Sequence, residues 1–141
     1  MISVTIRLEG AERILAKCNA RTLIEPPLLV FQRGASQAFL QATQAVAPRK
    51  TGRLAAGHRA TVEGPYRSTV TNTVPYAIFV HQGTRPHWMP PGILPFPVMR
   101  AIAMRGTRAQ PWFERGFQSG MSAVPGLVSQ LGAGIAARWG G

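Results

Sequence analysis

Residues 27–46, PLLVFQRGASQAFLQATQAV, carry the strongest helical pattern in the chain, and their reading decides the fold class. Leu28, Phe31, Ala35, Ala38, Phe39, Ala42 and Val46 recur every three or four positions, with Gln32, Arg33, Ser36, Gln37, Gln41 and Gln44 between them. That period puts the first set on one face of a helix and the second on the opposite face. Pro26 and Pro27 suit its first turn, where a backbone N–H has no intrahelical partner, and Pro48 stops it. A helix with one apolar face needs a surface to cover, and the flanking segments supply one. Ile2, Val4, Ile6 and Leu8 alternate with Ser3, Thr5 and Arg7, the period of a half-buried strand, which Gly10 ends. Farther on, Tyr66, Ser68, Val70, Asn72 and Val74 share one face of an expected strand, with Arg67, Thr69, Thr71 and Thr73 on the other. Arg59–Val62 forms its neighbour, and Glu63-Gly64-Pro65 turns the chain between them into a hairpin.

The remaining segments are more irregular. Ala11–Ala20 reads as a short helix with Ile14, Leu15 and Cys18 on one side. Tyr76–Val80 is an apolar run, extended or one turn of helix. Residues 83–98 contain Pro86, Pro90, Pro91, Pro95 and Pro97, too dense a set for regular helix or central strand. A long loop or arm is expected there, followed by a short helix or strand over Val98–Met104. After Pro111 the apolar residues Trp112, Phe113, Phe117, Met121, Val124, Leu127, Val128, Leu131, Ile135 and Trp139 return to helical spacing, with a kink near Pro125. The expectation is one α+β domain over residues 1–141. It comprises a small, mainly antiparallel sheet packed by one long helix, a C-terminal helix and an extended Pro-rich arm at about 83–98.

Composition narrows the function classes. Sixteen Lys and Arg face five Asp and Glu, for a formal net charge of +11. Only Lys17 and Lys50 are lysines; arginine can grip carboxylates or phosphates through two bonds. The excess is compatible with contact to nucleic acid or an acidic protein surface, and equally with a GC-rich coding sequence, because the arginines are scattered rather than grouped in a stripe. Cys18 is the only cysteine, which leaves no internal disulfide and no cysteine zinc cluster. No apolar run approaches the roughly 20 residues of a membrane span, and the N-terminus lacks the layout of a signal peptide. A soluble protein of a reducing cytoplasm, without membrane contact, is expected.

Three short motifs follow one another in the middle of the chain. Arg49-Lys50-Thr51-Gly52-Arg53-Leu54 comes after the long helix. Pro75-Tyr76-Ala77-Ile78-Phe79-Val80 comes after the hairpin, with Gly83-Thr84-Arg85-Pro86-His87 two residues on. Gln110-Pro111-Trp112-Phe113 closes the series. In this order they resemble the tail-completion or head–tail neck proteins of long-tailed, siphovirus-like bacteriophages. That family carries Ala-Pro-x-x-Thr-Gly-x-Leu, Tyr-Ala-x-x-Val-x-x-Gly-Thr and Pro-x-Pro-Phe-like motifs in the same sequence. The resemblance covers roughly residues 28–120. Two departures lie within it: His81-Gln82 stand where the family usually has an acid before Gly-Thr, and Trp112 replaces the usual Phe, with Phe113 one place later.

The resemblance implies a structural virion protein of the neck or tail, assembled in the host cytoplasm. It would act as a homo-oligomeric ring, a hexamer in tails built on sixfold symmetry, around the DNA channel. Its neighbours would be a tail terminator, tail-tube or head-completion protein. The sequence does not separate tail completion from the neighbouring terminator and stopper roles. Within the motifs, Thr51 is expected to cap or bond the local backbone, Gly52 to take a positive φ, and Leu54 to enter the core. Subunit contacts are expected from Tyr76 and Phe79, from the arm Gly83, Thr84, Arg85, Pro86, His87 and Trp88, and from Trp112, Phe113 and Phe117.

Enzymatic chemistry finds little support. His58, His81 and His87 are the classical acid–base or ligand candidates, and His81 and His87 lack a nearby carboxylate, the closest acids being Glu63 and Glu114. There is no aspartate, no phosphate-cradling glycine loop before a helix and no Gly-x-Ser-x-Gly elbow. Neither a catalytic residue, a metal site nor a cofactor is expected. The stronger rival is a nucleic-acid-binding protein acting on phage DNA, with Arg49, Lys50, Arg53, Arg59 and Arg67 as basic contacts and Trp88 or Trp112 stacking on bases. No helix-turn-helix, zinc-finger or ribonucleoprotein motif accompanies them.

Overall fold

A computed structural model describes residues 1–12 and 21–139. Of the helix expected over 11–20, Ala11 and Glu12 are helical, and the rest lies outside the described residues. The strands are β1 (Ile2–Arg7), β2 (His58–Gly64) and β3 (Arg67–Asn72). They form one antiparallel sheet in the order β1-β3-β2, so the first strand of the chain pairs with the last. Val4 lies opposite Val70, and Val70 opposite Ala60, which aligns the apolar positions of all three strands on one face. The opposite face is Thr- and Arg-rich. The register shifts between Val62 and Gly64, and Pro65-Tyr66 make the turn.

Helix α1 (Arg21–Val46) crosses the apolar face of the sheet and buries Leu28, Phe31, Ala35 and Phe39 as its periodicity predicted. Two features differ from expectation. Pro26 and Pro27 lie inside the described helix rather than in its first turn. Each removes an intrahelical hydrogen bond, but Pro27 is buried, with the Cα hydrogens of Gly134 facing its ring. Gln32 and Ser36, expected on a polar face, are also buried. The helix is covered on two sides, by the sheet and by the C-terminal helices. Ser36 Oγ donates to the Arg33 carbonyl, and Ser68 Oγ of β3 donates to Gln32 Oε1 at 2.7 Å.

The C-terminal segment is two helices, α5 (Trp112–Gly120) and α6 (Val124–Trp139), joined by a 3₁₀ turn at Met121–Ala123. The expected kink near Pro125 thus falls just before it. The Pro125 ring would crowd the carbonyl four residues back, so the chain breaks there and Pro125 occupies the first turn of α6. Gly116 and Gly120, one turn apart on α5, face Thr43 and Phe39 of α1. This glycine pair lets the two backbones approach closely, and Phe39 and Phe117 stack alongside at 4.9 Å between ring centres.

Candidate functional site

The Thr-Gly-x-Leu segment is a scaffold corner. Gly52 has φ 72° and sits before the short helix α2 (Arg53–Ala56), and Leu54 is buried among Phe39, Val70, Val74, Trp112 and Phe113. No side-chain hydrogen bond caps α2, so Thr51 does not take the capping role expected of it. The left-handed Gly52 and the 3.0 Å bond from the Ala56 N–H to the Gly52 carbonyl make the turn instead.

His58 and Asn72 tie this corner to the sheet. The Asn72 amide donates to the Leu54 carbonyl at 2.7 Å and its oxygen accepts from the Val74 N–H at 3.0 Å. His58 Nδ1 lies 2.8 Å from the Ala55 carbonyl, and since a carbonyl only accepts, this nitrogen carries the proton. The ring is packed edge-on to Trp112 at 5.0 Å and stacked on Phe113 at 5.9 Å. Burial away from water lowers the His58 pKa from 6.5, against the opposing pull of the Ala55 and Leu54 backbone groups. His58 is therefore a core residue, 2% exposed, whose burial favours the neutral ring.

A pH dependence follows. Between the lowered native value and 6.5 the unfolded chain binds more protons than the folded one, so stability rises with pH across that window. Denaturant midpoints are expected to be highest above pH 6.5 and to fall as the solution is acidified below it. In His58→Phe, which keeps an aromatic ring but cannot titrate, that acid-side slope should flatten. An unchanged slope would assign it to other groups.

Trp112 and Phe113 correct another expectation. They are 0% and 3% exposed and form the centre of the core, so they are not available for subunit contact. Phe117 is half-buried against Phe39. Pro111 precedes α5, and the next two side chains enter the core; sequence alone offers only their aromaticity, a property shared by cores and interfaces.

The surface residues of the second motif behave differently. Helix α3 (Ala77–Gln82) buries Ala77 and leaves Tyr76 and Phe79 exposed, Phe79 at 58%. Beyond it, residues 84–107 form a closed flap rather than a free arm. Thr84 and Thr107 exchange both backbone hydrogen bonds at 3.1 Å, and their hydroxyls meet at 2.9 Å. Each is preceded by a glycine of nearly the same conformation, Gly83 at φ 73°, ψ −177° and Gly106 at φ 71°, ψ −159°. This region is essentially reserved for glycine, and a Cβ on either residue would strike the backbone of the opposite segment. The second Gly-Thr pair escaped the sequence reading because it lies 23 residues from the first, and only its spatial closure gives it meaning. Gly106→Ala is expected to open the neck. Amide exchange at Thr84 and Thr107 should rise at least about tenfold, while Val70 and Asn72 in the sheet stay protected.

Within the flap, helix α4 (Phe96–Arg105) accounts for the segment expected as short helix or strand over Val98–Met104. It begins inside the proline-rich stretch because Pro97 fits a first turn. Between α3 and the flap runs a groove of about 1110 Å³. Its walls are Tyr76, Phe79 and Val80 on one side and Met89, Ile93, Leu94, Val98 and Ile102 on the other. Lys50, Arg85, His87 and Arg108 also border it, with Thr84, Pro86, Thr107 and Gln110, and no carboxylate does. Trp88 and Phe96 stand outside the groove lining, 83% and 67% exposed.

The basic candidates are all exposed and make different contacts. Arg59 donates from Nη1 to the Ala56 and His58 carbonyls, both at 2.8 Å. Arg67 pairs with Glu63 at 3.2 Å on the outer sheet face. Lys50 borders the groove, and Arg49 and Arg53 flank the Thr-Gly turn. Among the described residues no three His, Cys, Asp or Glu side chains converge, and no helix is long and apolar enough to cross a membrane. Comparisons with family models, with curated proteins and with solved structures returned no match.

Proposed function

We propose that the protein is a non-enzymatic structural component of a bacteriophage neck or tail, forming a homo-oligomeric ring around the DNA channel at the tail end or the head–tail junction. The observation that carries this reading is the flap. Trp88 and Phe96 on it, both outside the groove lining, leave large apolar side chains in water on a chain segment closed at its neck. Large apolar side chains left in water on one such segment suit an interaction site. The residues of the phage-like motifs support the reading from the other side. Gly52, Leu54 and Ala77 hold the scaffold together, and Gly83 and Thr84 close the flap. The family pattern therefore coincides with positions the fold needs. Closed rings use two different faces of each subunit, and the protruding flap offers one of them.

Native mass spectrometry tests this. The expected result is a closed species at six times the 15.2 kDa chain mass. Deleting residues 86–97, inside the Thr84–Thr107 closure, should reduce it to monomer, with helical circular dichroism lowered by no more than α4, whose start is removed, contributes. A chain that stays monomeric and binds duplex DNA with an affinity falling steeply with salt would favour the nucleic-acid reading instead.

A further inference from the structure

We infer that the groove between α3 and the flap is a receptor for an acidic, apolar segment of a different protein. At about 1110 Å³ it exceeds what one side chain fills and is of the size that takes several. Its lining is chiefly apolar, with Phe79, Ile93, Leu94 and Ile102 from both walls. Met89 adds an adaptable side chain suited to a peptide rather than to one rigid small molecule.

Charge selects the occupant. Lys50, Arg85 and Arg108 border the groove. The ion pairs among the described residues, Arg21 with Glu25 and Arg67 with Glu63, lie elsewhere. Among the described residues the three groove cations therefore have no carboxylate partner. An entering segment with glutamate or aspartate beside its apolar residues would meet all three, and steering by such a rim raises association rates. A second copy of this chain fits less well, because its net charge is +11 and residues 84–108 contain four arginines and no acid. The inference concerns a partner and does not require the ring.

A display library of short random peptides, panned on the full chain, tests it. Enriched sequences are expected to combine large apolar residues with Asp or Glu. Labelled synthetic versions should bind at least about tenfold more weakly to Phe79→Asp and to the double variant Arg85→Glu/Arg108→Glu. Both variants change exposed side chains, and unchanged thermal unfolding verifies their folds. Several outcomes overturn the inference: no enrichment, enriched peptides without acids, or binding that neither variant weakens. So does self-association abolished by Phe79→Asp, which would put a second copy in the groove. Sedimentation with phosphatidylserine vesicles that Phe79→Asp abolishes, without peptide binding, would put a membrane there instead. A six-copy species that binds no peptide sinks this inference and leaves the ring standing, whereas a monomer that binds acidic peptides does the reverse.

Discussion

Trp112→Ala is expected to lower folding stability by about 3–5 kcal/mol, the range for truncating a large buried aromatic side chain. Trp112 is fully buried and meets His58 at 5.0 Å and Phe113 at 5.2 Å, both nearly edge-on. Its indole N–H has no hydrogen-bond partner, so the loss is one of packing and cavity formation, not of a polar contact. The site joins three parts of the fold, the start of α5, the start of β2 and the corner around Leu54, and none can collapse into the cavity without dragging the others. Trp112→Phe should cost much less, because it keeps an edge-on ring and removes the unpaired donor. Chemical denaturation of the three proteins checks both values. Near-equal stability of the Ala variant and the parent would mean that this segment is not anchored as described.

Gly116→Ala is the second large effect, and it acts by excess rather than deficit. A Cβ there would lie 2.5 Å from the Thr43 Cα of α1. The obstacle is main chain, which no rotamer change relieves, so the cost is expected at or above the roughly 3 kcal/mol upper end for overpacking. Gly132→Ala is the internal control. It also lies in a helix, but a Cβ there meets nothing within 4 Å, and alanine should stabilise by roughly 0.5–1 kcal/mol. Opposite signs in thermal unfolding would establish that α5 and α1 cross at backbone contact. A mild effect at Gly116 would require the two helices to stand farther apart.

The same contrast shows why some of this fold is legible in sequence and some is not. Periodicity is local, so the long helix, the alternating first strand and the faces of β3 could be read directly. Its limits appear where a second layer intervenes. Gln32 and Ser36 follow the polar face of a one-sided helix, yet both are buried, Gln32 against Ser68 of β3, in a helix packed by the sheet and by α5 and α6. Pro26 and Pro27 show the same limit in another form, since tertiary packing on Gly134 holds a helix through residues that local rules place at its start.

Functional residues divide along similar lines. The Thr-Gly-x-Leu and Gly-Thr motifs pointed to special backbone positions, and Gly52, Gly83 and Thr84 occupy them. The histidines and tryptophans could not be sorted, because their chemistry suits core, catalysis and interface alike. His58 and Trp112 joined the core and Trp88 stayed in water, a division made by topology rather than by residue type.

Sequence alone therefore determined the α+β class, the long helix, the sheet faces and the strong positive charge, since each rests on composition or on neighbours a few residues apart. The tertiary structure decided the strand order, the burial of Trp112 and Phe113, the closure of the 84–107 segment through Thr84 and Thr107, and the groove beneath it. Those features depend on pairs of residues far apart in the chain, whose encounter costs loop-closure entropy and leaves no periodic mark in the segments between them.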